Sequence, residues 1–135
     1  MLLIDDDETL VKLLHTVFQL EGFEWRTAAN RAGIAEAFAV APPPDLVLLD
    51  VMLPDIDGFE VLGRIRSHPT LKALPVIMLT AKATREAVLK GLHLGADGYV
   101  TKPFEIEVLM GAVRTVLGPT EAGDWPKGGG PIRND

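Results

Sequence analysis

Asp50 ends an apolar run, Leu46-Val47-Leu48-Leu49, and the chain then turns through Pro54, Asp55, Asp57 and Gly58. A short apolar run bounded by turn signals is the pattern of a strand buried on both faces of a parallel sheet. A carboxylate at the C-terminal edge of such a sheet lies where open α/β sheets bind their ligands. Three other segments place polar groups in the same way. Asp5 and Asp6 follow Leu2-Leu3-Ile4, Thr80 follows Ile77-Met78-Leu79, and Lys102 follows Tyr99-Val100-Thr101. Each alone has a plain explanation: an acidic helix entry, a strand-end hydroxyl, or a surface lysine whose stem covers apolar neighbours. Their joint occurrence at one sheet edge points to chemistry.

If the first and third strands are neighbours, Asp5, Asp6 and Asp50 converge. Two unit charges ~4 Å apart repel by about 4 kcal/mol at an effective dielectric of roughly 20. A divalent cation gives a reason to concentrate that repulsion, because Mg²⁺ takes one or two carboxylates, keeps several waters and recruits a phosphoryl oxygen. Lys102 adds a point charge suited to phosphate, and Thr80 a hydroxyl donor. The chemistry this set supports is phosphoryl transfer, with Asp50 as the carboxylate nucleophile that forms an acyl phosphate. Crowded carboxylates also predict that, without Mg²⁺, a neutral residue at Asp6 or Asp50 raises the melting temperature.

The elements that must hold these residues follow from periodicity. After the first strand, Leu10, Leu13, Leu14, Val17 and Phe18 recur at helical spacing, and Gly22 supplies the left-handed stop. A second strand is expected over 23–28 and a second helix over 31–40, with Ala32, Ala35, Ala39 and Phe38 as its packing face. Pro42-Pro43-Pro44 delivers the chain to the third strand, and Gly58 opens a third helix that closes at His68-Pro69. A fourth strand over 74–79, a helix over 84–94, a short strand over 99–101 and a last helix stopped by Gly118 complete the pattern. Five alternations of strand and helix define an α/β fold. The expected architecture is a doubly wound, flavodoxin-like parallel sheet of five strands in the order 2-1-3-4-5, with five helices. Residues 1–117 read as one domain and 118–135 as a Gly/Pro-rich tail or linker, with Trp125 its large apolar residue.

Composition narrows the function. Hydrophobic residues make up 47% and charged residues 24% of the 135, an ordinary globular balance. Lys and Arg number 13 against 19 Asp and Glu, a net charge of −6 without a basic cluster, so direct nucleic-acid binding is not expected. The chain has no Cys, which excludes disulfides and thiolate zinc sites. His15, His68 and His93 lie too far apart for a metal site. No apolar run approaches the ~20 residues of a membrane span, and no signal-peptide pattern opens the chain, so a cytoplasmic protein is expected.

Ile4-Asp5-Asp6-Asp7, Leu48 to Gly58, Met78-Leu79-Thr80-Ala81-Lys82 and Gly95 to Phe104 resemble the receiver domain of two-component response regulators over about residues 1–117. The resemblance implies that Asp50 accepts phosphate from a sensor histidine kinase or a histidine phosphotransfer protein. It implies that Asp6, Asp50 and the Met52 backbone carbonyl bind Mg²⁺ directly and Asp5 through water. Thr80 and Lys102 would contact the phosphoryl group, with Lys102-Pro103 a cis peptide. Thr80 and Tyr99 would be the switch residues, and Ala81 would leave phosphoryl access open. Residues two past the phosphorylated Asp and two past the Thr tune acyl-phosphate lifetime in many members. Met52 and Lys82 stand there and neither positions water, so slow self-dephosphorylation is expected from a signalling domain rather than an enzyme. The winged-helix branch of the family dimerises through charges on the fourth helix, fifth strand and fifth helix. Gly98 and Ala112 replace two of them, which weighs against that dimer while leaving a homodimer open, with Val88, Leu92, Tyr99 and Val108 as core or as a partner face.

Two further readings compete. Asp5-Asp6-Asp7-Glu8-Thr9 also resembles the Asp-x-Asp-x-Thr motif of haloacid-dehalogenase-like phosphohydrolases, which would make Asp5 the nucleophile. That reading leaves the Asp50 turn unexplained, and no acid pair follows Lys102 at a further strand end. The other is a receiver fold used as an unphosphorylated interaction module, although every reactive position is intact. Residues 118–135 show no pattern of an output module, so the expectation is either a stand-alone receiver or a receiver cut from a longer regulator, signalling to an output domain or downstream protein.

Overall fold

The strands are short and continuously apolar, and the alternation of side chains sends successive residues to opposite faces of the sheet. In a computed structural model, which describes residues 1–118, they are β1 (Leu2–Ile4), β2 (Arg26–Ala28), β3 (Val47–Leu49), β4 (Val76–Thr80) and β5 (Gly98–Thr101). All pairings are parallel and the order is β2-β1-β3-β4-β5, as the sequence predicts. Leu2, Ile4, Val47, Leu49, Val76 and Met78 face one apolar cluster, while Leu3, Leu48, Ile77 and Leu79 face the other. Burial on both faces is why these strands show no polar alternation.

The helices are α1 (Glu8–Leu20), α2 (Arg31–Ala39), α3 (Gly58–Ser67), α4 (Arg85–His93) and α5 (Ile106–Leu117). α1 and α5 cover the second cluster through Leu14, Phe18, Leu109 and Val113, and α2, α3 and α4 cover the first. Asp7, Asn30, Asp57 and Thr84 cap the first four helices by accepting from first-turn amides. Gly22 stands at φ +89 after α1, the left-handed stop that its type predicts.

Four local expectations change. β2 begins at Arg26 instead of 23, because the amides of Gly22 and Phe23 close the end of α1 on Gln19 and Phe18. The ring of Phe23 then meets Phe18 edge-on, with centroids 5.5 Å apart. β4 begins at Val76 because Leu74 bonds back to Leu71 and Pro75 has no amide to donate. α2 packs through Ile34, Ala37 and Phe38, leaving Ala32, Ala35 and Ala39 exposed. That helix is apolar nearly all round, so periodicity alone does not select its face. Leu13, expected in the core, is 49% exposed, and the α1 interior rests on Leu14 and Phe18. The tail over 119–135, Trp125 included, lies outside the described residues.

Candidate functional site

The parallel register brings the strand ends together. Asp50 donates its amide to the Ile4 carbonyl at 3.0 Å, and Asp5 donates its own to Ala28 at 2.9 Å, so β3 and β1 release their acids side by side. Oxygens of Asp5, Asp6 and Asp50 lie within 4.8 Å of one another. Asp5 and Asp50 are buried, whereas Asp6 is exposed.

The two buried carboxylates are held alike. One oxygen of each accepts a backbone amide, Asp5 from Asp7 at 2.9 Å and Asp50 from Met52 at 3.0 Å. The other oxygen of each accepts from Lys102 Nζ, at 2.7 Å for Asp5 and 3.1 Å for Asp50. Lys102 reaches this position from the end of β5, where its amide donates to the Thr80 carbonyl at 2.9 Å and its bond to Pro103 is cis. Asp6 carries no such cation among the described residues.

Burial raises the pKa of Asp5, against the lowering effect of its bonds to Lys102 and Asp7, and the Asp50 charge adds to the rise. For Lys102, burial is the largest influence and lowers its pKa. The bonds and charges of Asp5 and Asp50 together outweigh it, so the net shift is upward.

Thr80 and Tyr99 stand beside this cluster. The buried Thr80 hydroxyl accepts from the Lys82 amide at 3.2 Å, and the Tyr99 hydroxyl donates to the Lys82 carbonyl at 2.6 Å. The backbone of Lys82 thus links the two residues, a connection that the sequence does not display. The Tyr99 ring lies against Gly91, where a Cβ would stand 3.0 Å from two ring carbons. Val88 is half-buried, but Leu92 and Val108 are 46% and 56% exposed, so this face of α4 and α5 is surface rather than core.

Gly58 was legible only as the residue that opens a helix. Its role is steric: a Cβ there would lie 2.1 Å from the Asp50 carbonyl oxygen and 2.6 Å from the Val51 Cα. Gly58 also donates to the Val51 carbonyl at 2.8 Å, so α3 starts directly against the backbone that carries Asp50.

Three carboxylates around one point suit a hard cation with oxygen ligands, and each oxygen retains lone pairs beyond its present bond. A lysine between two of them suits an anionic group entering the same space. A doubly wound sheet that gathers acids and a lysine at its C-terminal edge is an α/β domain with its polar cluster where such sheets bind ligands.

The family model for the response regulator receiver domain matches residues 1–114. The chain is 38% identical over 122 residues to the DNA-binding dual master transcriptional regulator RpaA of Synechocystis, covering 90% of this chain and 50% of that protein. The non-phosphorylated HemR receiver domain from Leptospira biflexa superposes with a TM-score of 0.78 at 32% identity, covering 89% of this chain and 94% of that one. The Mn²⁺-bound form of response regulator Rcp1 gives 0.72 at 27% identity, covering 85% and 88%. This chain belongs to the response regulator receiver domain family. It spans about half the length of the curated relatives it matches. Among the described residues, no helix is long and apolar enough to cross a membrane.

Proposed function

We infer that Asp50 is the phosphoacceptor of a two-component signalling domain. A carboxylate oxygen of Asp50 attacks the phosphorus of a phosphohistidine on a sensor histidine kinase or histidine phosphotransfer protein. The P–N bond breaks, the imidazole leaves with its electron pair and takes up a proton, and Asp50 holds an acyl phosphate. The observation that carries this reading is the Lys102 ammonium suspended between the buried Asp5 and Asp50 carboxylates. In that position it neutralises charge arriving on Asp50. The Thr80 hydroxyl, at the neighbouring strand end, exchanges its Lys82 bond for one to the phosphoryl group.

Asp5, Asp6, Asp50 and the Met52 carbonyl are the groups that would hold Mg²⁺. Bound there, the ion supplies charge neutralisation for the phosphoryl oxygens. A receiver spanning half the length of relatives named as transcriptional regulators supports signalling to an output domain or downstream protein.

The test is intact-protein mass after incubation with Mg²⁺ and acetyl phosphate. One added phosphoryl group is expected, absent from Asp50→Ala and much reduced in Asp5→Ala. No adduct, with steady phosphate release abolished by Asp5→Ala, would overturn the assignment.

A further inference from the structure

The turn between β3 and α3 carries Met52, whose carbonyl is one of the groups that would hold Mg²⁺, and most of its hydrogen bonds are local. Met52 donates its amide to Asp50 at 3.0 Å, Asp57 accepts from Phe59 at 2.7 Å, and Gly58 donates to Val51 at 2.8 Å. Met52 and Asp57 also pair as an isolated antiparallel bridge. These contacts fix the shape of the turn rather than its place against the rest of the molecule. Pro54 has no amide to donate, and Leu53 and Ile56 are only half-buried against the first apolar cluster.

One hydrogen bond reaches further. The exposed Asp55 carboxylate accepts the Arg31 amide at 2.8 Å, across 24 residues of chain. Among the described residues, it is the only hydrogen bond that joins residues 51–57 to an element other than β3 or α3. Arg31 opens α2, where first-turn amides have no partner inside the helix. Asn30 serves the amide of Gly33 at 2.8 Å, and Asp55 adds a second cap from another element, at the helix end that favours negative charge.

The start of α2 is itself tied to the acidic cluster. Ala28 ends β2 just before Asn30, and its carbonyl accepts the Asp5 amide at 2.9 Å. The Arg31–Asp55 bond therefore closes a short path from Asp5, through the start of α2, to the turn that carries Asp50 and Met52.

We propose, on the Mg²⁺ reading of these groups given above, that Asp55 is a positioning residue for the metal site. Its bond to the Arg31 amide sets where the Met52 carbonyl stands relative to Asp5 and Asp6. Asp55 acts through the backbone of its own turn and not as a ligand. Groups that orient metal ligands in this way change affinity by about tenfold or more when removed.

The test uses the full 135-residue chain with Mn²⁺ as the probe, free ion being counted by electron paramagnetic resonance, beside hydrogen exchange at the Arg31 amide. Asp55→Ala is expected to weaken Mn²⁺ binding about tenfold and to open the Arg31 amide to exchange. Asp55→Asn loses the charge but keeps an oxygen acceptor, so it retains affinity to within about twofold and keeps Arg31 protected. Glu60→Gln removes a charge from the same rim without touching that bond, and it binds as the unsubstituted chain does. Saturating Mg²⁺ restores acetyl phosphate labelling in Asp55→Ala, because Asp50 itself is intact. A carboxylate that only capped α2 would open Arg31 to exchange in Asp55→Ala and leave Mn²⁺ affinity unchanged, a result that would overturn the proposal. Equal weakening in Asp55→Ala, Asp55→Asn and Glu60→Gln would overturn it too, by showing that charge alone is felt. Mn²⁺ binding that survives Asp50→Ala would overturn the metal site itself, and the role of Asp55 with it.

Discussion

Lys102 determines how much carboxylate charge the site tolerates without a metal. The ammonium offsets Asp5 and Asp50 but not the exposed Asp6. Of the two neutral replacements expected to stabilise the metal-free domain, Asp6→Asn is therefore the one that relieves repulsion without breaking an ion pair. Asp5 adds a pH dependence. Its pKa is raised above the ordinary 3.8, chiefly by burial, so between those two values the folded state binds more protons than the unfolded one. Stability from this group is full below the ordinary value and is lost as pH rises through the raised one. Asp5→Asn should accordingly raise the metal-free melting temperature at neutral pH, a gain that vanishes in acid. Calorimetric melts across that range check it, and a gain that grows on acidification would sink the account. Gly58 bears on the same site by contact alone. Gly58→Ala places a methyl group inside the van der Waals surface of the Asp50 carbonyl, at a cost of about 3 kcal/mol. Urea unfolding should show that loss, together with slower acetyl phosphate labelling. Asp50 and Lys102 were legible in the sequence because each ends an apolar run. The constraint on Gly58 was not, since it depends on backbone that a different element brings within contact.

Helices and strands were legible wherever burial imposed a period, and illegible where two faces were alike. β1, β3 and β4 announce themselves as apolar runs because both faces are covered. α2, rich in Ala on every side, does not reveal that Ile34, Ala37 and Phe38 face the sheet. Leu13 fits the helical stripe of α1 yet stands in solvent, because Leu14 and Phe18 already fill the space above the sheet. Nor does a sequence show links through backbone groups. The connection from Thr80 to Tyr99 passes through the amide and carbonyl of Lys82, at the segment joining β4 to α4. Tyr99→Phe removes one of those bonds and leaves the Lys82 carbonyl to solvent, a loss of about 1 kcal/mol. The expected signature is local: amide hydrogen exchange accelerates over residues 82–84 while the core of β4 keeps its protection. Uniform exchange across both segments would show that the hydroxyl does not hold this connection.

At the scale of the whole molecule, a receiver is useful only if its phosphorylated population outlasts the event that produced it. Acyl-phosphate formation shifts the domain between conformations only through interactions that differ in the two states. On the function proposed above, the groups that would make that difference are Lys102, Thr80 and, through Lys82, Tyr99. How long the shift persists depends on water reaching the phosphorus in line. Met52 and Lys82 line the same surface groove beside Asp50 and are both exposed. Neither methionine nor lysine carries a carboxylate or an amide that would orient an attacking water. The acyl phosphate of this chain should therefore decay over many minutes to hours rather than seconds. Placing an amide that can orient water, as in Met52→Asn, should speed decay by about tenfold, equivalent to about 1.4 kcal/mol of barrier. The measurement is intact mass against time after acetyl phosphate is removed, at fixed Mg²⁺. Decay within seconds in the unsubstituted chain would mean that another group positions the water. Unchanged decay in Met52→Asn would place the control of lifetime outside the groove that Met52 and Lys82 share.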